Sequence, residues 1–138
     1  MIGLLIVVIL SFSSCQTYTT GLKQDVARAN ELAALASLHA IALAEQTYSV
    51  SNDAKFGTLQ QLVDGGFLDP NIGKTGKTDY VFTIDVGQKA DSGEDKFYSC
   101  NADPREKQGR HFYMDSTSRE VHANPTQPAS ASDPVTQP

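Results

Sequence analysis

Tryptophan is absent, cysteine occurs only twice, and the 11 basic residues are outnumbered by 16 acidic ones, leaving a net charge of −5. Each deficit excludes a class of protein. Two cysteines, Cys15 and Cys100, cannot build a disulfide-dense scaffold. The three histidines, His39, His111 and His122, stand alone, with no partner at metal-ligand spacing, so no metal site is expected. The acidic balance, with Lys and Arg scattered and the densest cluster (Arg105-Glu106-Lys107) split by a carboxylate, argues against a nucleic-acid backbone as partner. No apolar run reaches the roughly 20 residues that a membrane-spanning helix needs. The longest, Ile2 to Leu10, gives way to Ser and Thr. A chain of 138 residues has room for one domain with a modest core.

What the sequence has in plenty is helix. From Leu22 to Tyr48 there is no Gly or Pro, and Ala and Leu, the best helix formers, dominate. At about 100° per residue, one stripe is almost wholly small: Ala29, Ala33, Ala36, Ala40, Ala44 and Thr47. Between Leu32 and Ala44 the helix is apolar nearly all round, which one small sheet cannot cover. Two partners are therefore expected, the helix's own domain and something else. Ile41 and Tyr48, together with the small stripe beside them and on one arc with Ala44 and Ser37, are assigned to the sheet. Leu32, Leu35, His39 and Leu43 are assigned to an assembly face for a protein partner or a second copy.

The rest reads as a small α+β body. Thr58-Leu59-Gln60-Gln61-Leu62-Val63 fits a short helix capped by Thr58 and stopped by Gly65-Gly66. Alternation then predicts strands at Tyr80–Ile84, Phe97–Ala102 and Arg110–Met114, and a short edge strand at Glu120–His122. A charged hairpin loop, Gly87 to Asp95, joins the first two. From Asn124 onward Pro, Ser, Ala, Gln and Thr prevail, and a disordered tail is expected.

Little chemistry is encoded. Gly73-Lys74-Thr75-Gly76-Lys77-Thr78 evokes a phosphate loop, but Asn71 stands where that motif needs its first Gly, Asp69-Pro70 precedes it, and a strand rather than a helix follows. Cys100 with His111 is a conceivable nucleophile and base, yet neighbouring strands place such pairs together by accident. No cofactor and no enzyme activity are expected.

The residues also carry a resemblance. Ala29-Asn30-Glu31, Ala36-Ser37-Leu38, Ala44-Glu45 and Thr47-Tyr48 resemble the helix of type IV pilin-like proteins. The similarity continues through Gly57–Asp69 and returns at Tyr80–Ile84 and Gly109–Asp115, about two thirds of the chain. Leu4-Leu5-Ile6-Val7-Val8 is similar to the core of pilin N-termini, although Gly3 stands where the family has an acidic residue and Ser11 to Gly21 replaces the apolar half of its helix. The resemblance implies a long N-terminal helix on a three- or four-stranded antiparallel sheet. Its function would be that of a structural subunit of a type IV pilus-like or type II secretion pseudopilus-like assembly. Some major pseudopilins bind calcium near their C-termini; Asp91, Glu94, Asp95 and Asp103 are the acidic candidates here, but they match no binding loop.

Small residues directly before Cys15 resemble a bacterial lipoprotein signal, in which that Cys carries the lipid and holds the protein to the membrane. The expected layout is a signal-like segment at 1–14, a tether at 15–21, a pilin-like domain at 22–123 and the tail at 124–138. The expected location is the bacterial cell envelope, facing the periplasm or the exterior. If Cys15 is lipidated, Cys100 is an unpaired thiol; if not, a disulfide between the two stays open. The alternative function is a lipid-anchored envelope binding domain that reuses the pilin-like body without polymerising.

Overall fold

The computed structural model describes residues 19–72, 79–87 and 96–136 in full, and the helical backbone of residues 2–18. Helix α1 runs from Ile2 to Ser51, so the stretch 15–21, expected as a tether, is helical. The Gly73–Thr78 motif and most of the charged hairpin loop (residues 88–95) lie outside the described residues. Among the described residues no helix is long and apolar enough to cross a membrane.

Helix α1 carries no Pro, and its Ala-rich middle resists fraying. It stops where Asp53 and Ala54 take left-handed backbone angles, φ 53° and 62°. The Ala54 N–H reaches back to Ser49 O at 2.9 Å, and Asn52 Nδ2 donates to Tyr48 O at 2.8 Å, which satisfies two of the helix's last carbonyls. Helix α2, Leu59–Asp64, starts with the reciprocal cap that its sequence announces. Thr58 Oγ1 accepts from Gln61 N–H, and Gln61 Oε1 accepts from Thr58 N–H.

Four strands follow: β1 (Tyr80–Val86), β2 (Tyr98–Pro104), β3 (His111–Asp115) and β4 (His122–Asn124). They form one antiparallel meander in the order β1-β2-β3-β4. Ile84 pairs with Cys100, Cys100 with Met114, and Phe112 with Ala123, so one face collects Tyr80, Phe82, Cys100, Ala102, Phe112, Met114 and Ala123. Helix α1 lies on that face and buries Ala34, Leu35, Leu38, Ile41 and Ala44; Leu62, Leu68 and Val121 close the ends. This is a two-layer α+β fold with one core between helix and sheet.

The tail is where the structure corrects the sequence reading most. Residues 124–136 are not disordered. Asn124 ends β4, Ala129 is buried, and Val135 bridges His122 antiparallel. The physical reason is that the segment is held by polar and main-chain bonds rather than by apolar burial, which a hydropathy reading does not register.

Candidate functional site

The outward face of α1 is built by the same periodicity that builds the core. Leu38 sits near the centre of the buried arc, and most of the described residues on the opposite side of the helix are exposed. Leu32 is 53% exposed, Leu43 65% and Val50 83%, with exposed Ala33 and Ala36 between them and Leu22, Val26 and Ala29 extending the line. From Leu32 to Val50 the only acidic or basic residue is Glu45, which is buried, so the exposed side carries no formal charge beyond that of His39 when protonated. Hydroxyls there are turned inward: Ser37 Oγ donates to Ala33 O at 2.9 Å and Thr47 Oγ1 to Leu43 O at 2.8 Å. A contiguous apolar helix face of this kind marks an interaction surface more often than an ordinary wet one.

Of the four residues assigned to this face, Leu32, His39 and Leu43 are exposed, while Leu35 is corrected to the core at 4% exposure. Leu35 lies about 60° from Leu38 round the helix, and the sheet covers a wider arc than the apolar count of a single strand pair suggests. The stripe of small residues is also reassigned. Ala44 packs against the sheet, but Ala29, Ala33, Ala36 and Thr47 look outward. Small side chains on an exposed helix allow another helix to approach closely.

Near the start of the described part of α1 the face borders a groove of about 360 Å³, floored by Leu22, Val26 and Ala27 and walled by Asp79, Tyr80 and Glu106. Two ties set its width. Asn30 Nδ2 donates to Asp79 Oδ2, and Arg110 forks onto Glu31, with Nε at 3.0 Å and Nη2 at 2.9 Å from Oε2. The Arg110 backbone N–H adds a third bond to Glu31 Oε1 at 3.0 Å. Two guanidinium N–H groups on one carboxylate oxygen and the backbone N–H on the other fix orientation as well as distance, and they pin α1 to the start of β3.

No catalytic arrangement emerges from the candidate pair. Cys100 faces the core, whereas His111 precedes core-facing Phe112 and therefore points to the other side of the sheet. Burial pushes the Cys100 thiol well above its ordinary range, which removes the thiolate. His111 Nδ1 lies 2.5 Å from Asp103 Oδ1, so the carboxylate once considered for calcium holds a histidine. The other acidic candidates, Asp91, Glu94 and Asp95, lie outside the described residues. Among the described residues no three potential metal ligands converge. Cys15, the lipid-attachment candidate, belongs to the part of α1 described by backbone alone.

Sequence reasoning missed Glu45. It is fully buried between α1 and the sheet. Oε2 accepts the Gly57 N–H at 2.9 Å, while Oε1 has no hydrogen-bond partner among the described residues. A Cβ at Gly57 would stand 3.1 Å from the Tyr48 ring, so the glycine also lets that ring pack closely. Burial raises the Glu45 pKa to about 7, against the smaller opposing effect of the Gly57 N–H. A signal was present: on the helical wheel Glu45 lies between Leu38 and Ile41, inside the core arc.

No family model matches the chain, and no curated protein matches it as a relative.

Proposed function

We propose that this chain is a structural subunit of a type IV pilus-like or type II secretion pseudopilus-like assembly in the bacterial cell envelope, associating with further copies through the outward face of α1. The observation that carries the reading is the exposed, uncharged helix face of Leu32, Leu43 and the alanines between them. Helix-to-helix packing suits it, since alanines let two helix backbones approach while flanking leucines interdigitate. The pilin-like resemblance of the helix and strand segments points the same way, as does a long N-terminal helix laid on an antiparallel sheet. Attachment to the membrane is assigned to the N-terminus, with Cys15 as the lipid-bearing residue and the body facing the periplasm or exterior. A single acyl chain holds only marginally and two hold firmly, which suits a diacylated cysteine.

The test is the pair Leu32→Gln and Leu43→Gln in the full chain. Both side chains are mostly in water, so unfolding free energy should change by less than about 0.5 kcal/mol for each. Self-association, read by sedimentation or cross-linking in the membrane fraction, should weaken at least tenfold. Unaltered self-association in a folded double variant would sink the assembly reading and leave the lipid-anchored, non-polymerising binding domain in its place.

A further inference from the structure

The C-terminal segment offers a second surface, independent of the α1 face. Residues 129–136 complete the sheet beyond β4 by main-chain pairing: Ala123 N–H donates to Pro134 O at 3.0 Å and Thr136 N–H to Val121 O at 2.7 Å. Side chains of the sheet grip the same segment. Asn101 Nδ2 donates to Ala129 O at 3.0 Å, His122 Nδ1 to Asp133 O at 2.6 Å, and Asn124 Nδ2 to Asp133 Oδ1 at 2.8 Å. Arg110 Nη1 reaches Thr136 Oγ1 at 3.2 Å. The segment is thus recognised at many points, by β2, by β4 and by Arg110 just before β3.

What it lacks is an apolar lock. Ala129 is its one buried hydrophobic side chain, and Val135 is half exposed. A unit held chiefly by hydrogen bonds, with little buried apolar area, opens more easily than the core. Its connection to β4, Pro125-Thr126-Gln127-Pro128, is exposed along its length. The turn there is held by Asn124 Oδ1, which accepts the Thr126 and Gln127 N–H groups at 3.0 and 3.1 Å.

We propose that the β4 edge is a strand-acceptor site whose occupant, when copies stand side by side, is the C-terminal segment of a neighbouring copy. The contacts of an exchanged segment are the same as those of the chain's own, so only the connection and the local concentration decide between them. An edge left empty would expose the Ala123 N–H and Val121 C=O as a template for unwanted pairing. The site is therefore filled in either state, and exchange links neighbours at little cost.

Disulfide trapping reads this directly. In full chains carrying Cys15→Ser, one copy takes His122→Cys and a copy of different tag length takes Val135→Cys, the two bridge partners. Mixed at high concentration under native conditions and oxidised mildly, they should form a heterodimer on a non-reducing gel. Its yield should be at least tenfold above that of Val135→Cys mixed with Val81→Cys, an exposed position on the far edge strand. A chain with both bridge cysteines serves as the second measurement. Internal closure of that chain with no excess heterodimer in the mixture overturns the proposal, because the segment then never leaves its own sheet. Absence of both products overturns it as well, since the pairing itself would be wrong. Neither outcome bears on the α1 face, which the glutamine pair tests separately.

Discussion

Glu45→Gln offers the sharpest check on the packing of α1. In the folded chain burial raises the Glu45 pKa from 4.5 to about 7. Below the unfolded value both states hold the proton and the residue costs nothing. As pH rises from 4.5 towards 7 the unfolded chain releases its proton first, the folded chain binds more protons, and stability falls. Above about 7 the loss is complete. A shift from 4.5 to about 7 corresponds to roughly 3 kcal/mol at 1.36 kcal/mol per unit, a large share of a small domain's stability. Glutamine keeps the shape and an acceptor for the Gly57 N–H but cannot ionise. The assay is urea unfolding of both proteins at pH 5, 6, 7 and 8. Other groups titrate in this range too, but they are common to both chains and cancel in the difference. The variant should gain on the parent by about 2.5 kcal/mol between pH 5 and pH 8, the remainder of the loss falling below pH 5. A constant offset, such as an unpaired amide atom causes, does not alter that slope. If the two pH profiles run parallel, Glu45 is hydrated or exposed in solution and is not sealed between α1 and the sheet.

Ile41→Ala, which empties a fully buried site, should cost about 2–5 kcal/mol by chemical denaturation. Leu35→Gln should destabilise on the same scale, in contrast to Leu43→Gln on the same helix; equal effects of the two glutamines would refute the division of α1 into core and outward faces. Deleting residues 125–138 should lower the thermal midpoint by several degrees while leaving the helix–sheet core folded, as read by circular dichroism, because it removes the main-chain pairs at Ala123 and Val121 and the burial of Ala129. An unchanged midpoint would restore the disordered tail that composition suggests.

The elements that hydropathy reports were legible. The Ala/Leu helix, the Thr58 cap and three alternating strands all follow from local pattern, because each buries one face and the chain must repeat that face at 3.6 or 2 residues. The last strand was displaced from Glu120–His122 to His122–Asn124. There the turn places Arg119 at φ 57°, a left-handed position usually marked by Gly, so the usual punctuation is missing. Glu45 was missed although the wheel sets it between Leu38 and Ile41, whereas Leu35 was misread for a physical reason. A helical wheel says which residues share a face, but not how wide an arc the opposing layer covers.

The sequence alone determined that this chain has one long helix, apolar nearly all round in its middle, and an antiparallel body of alternating strands. Those properties are sums over residue types and periods, and they survive any arrangement. Tertiary structure decided which side of the helix is left bare, that a glutamate is sealed beneath it, and that a hydrophilic tail returns to finish the sheet. Each of these depends on where distant segments meet. Glu31 with Arg110, Glu45 with Gly57, and Asp133 with His122 and Asn124 are matched by geometry rather than by spacing along the chain. A hydrogen bond needs about 3 Å and the right direction, and only the folded backbone supplies both.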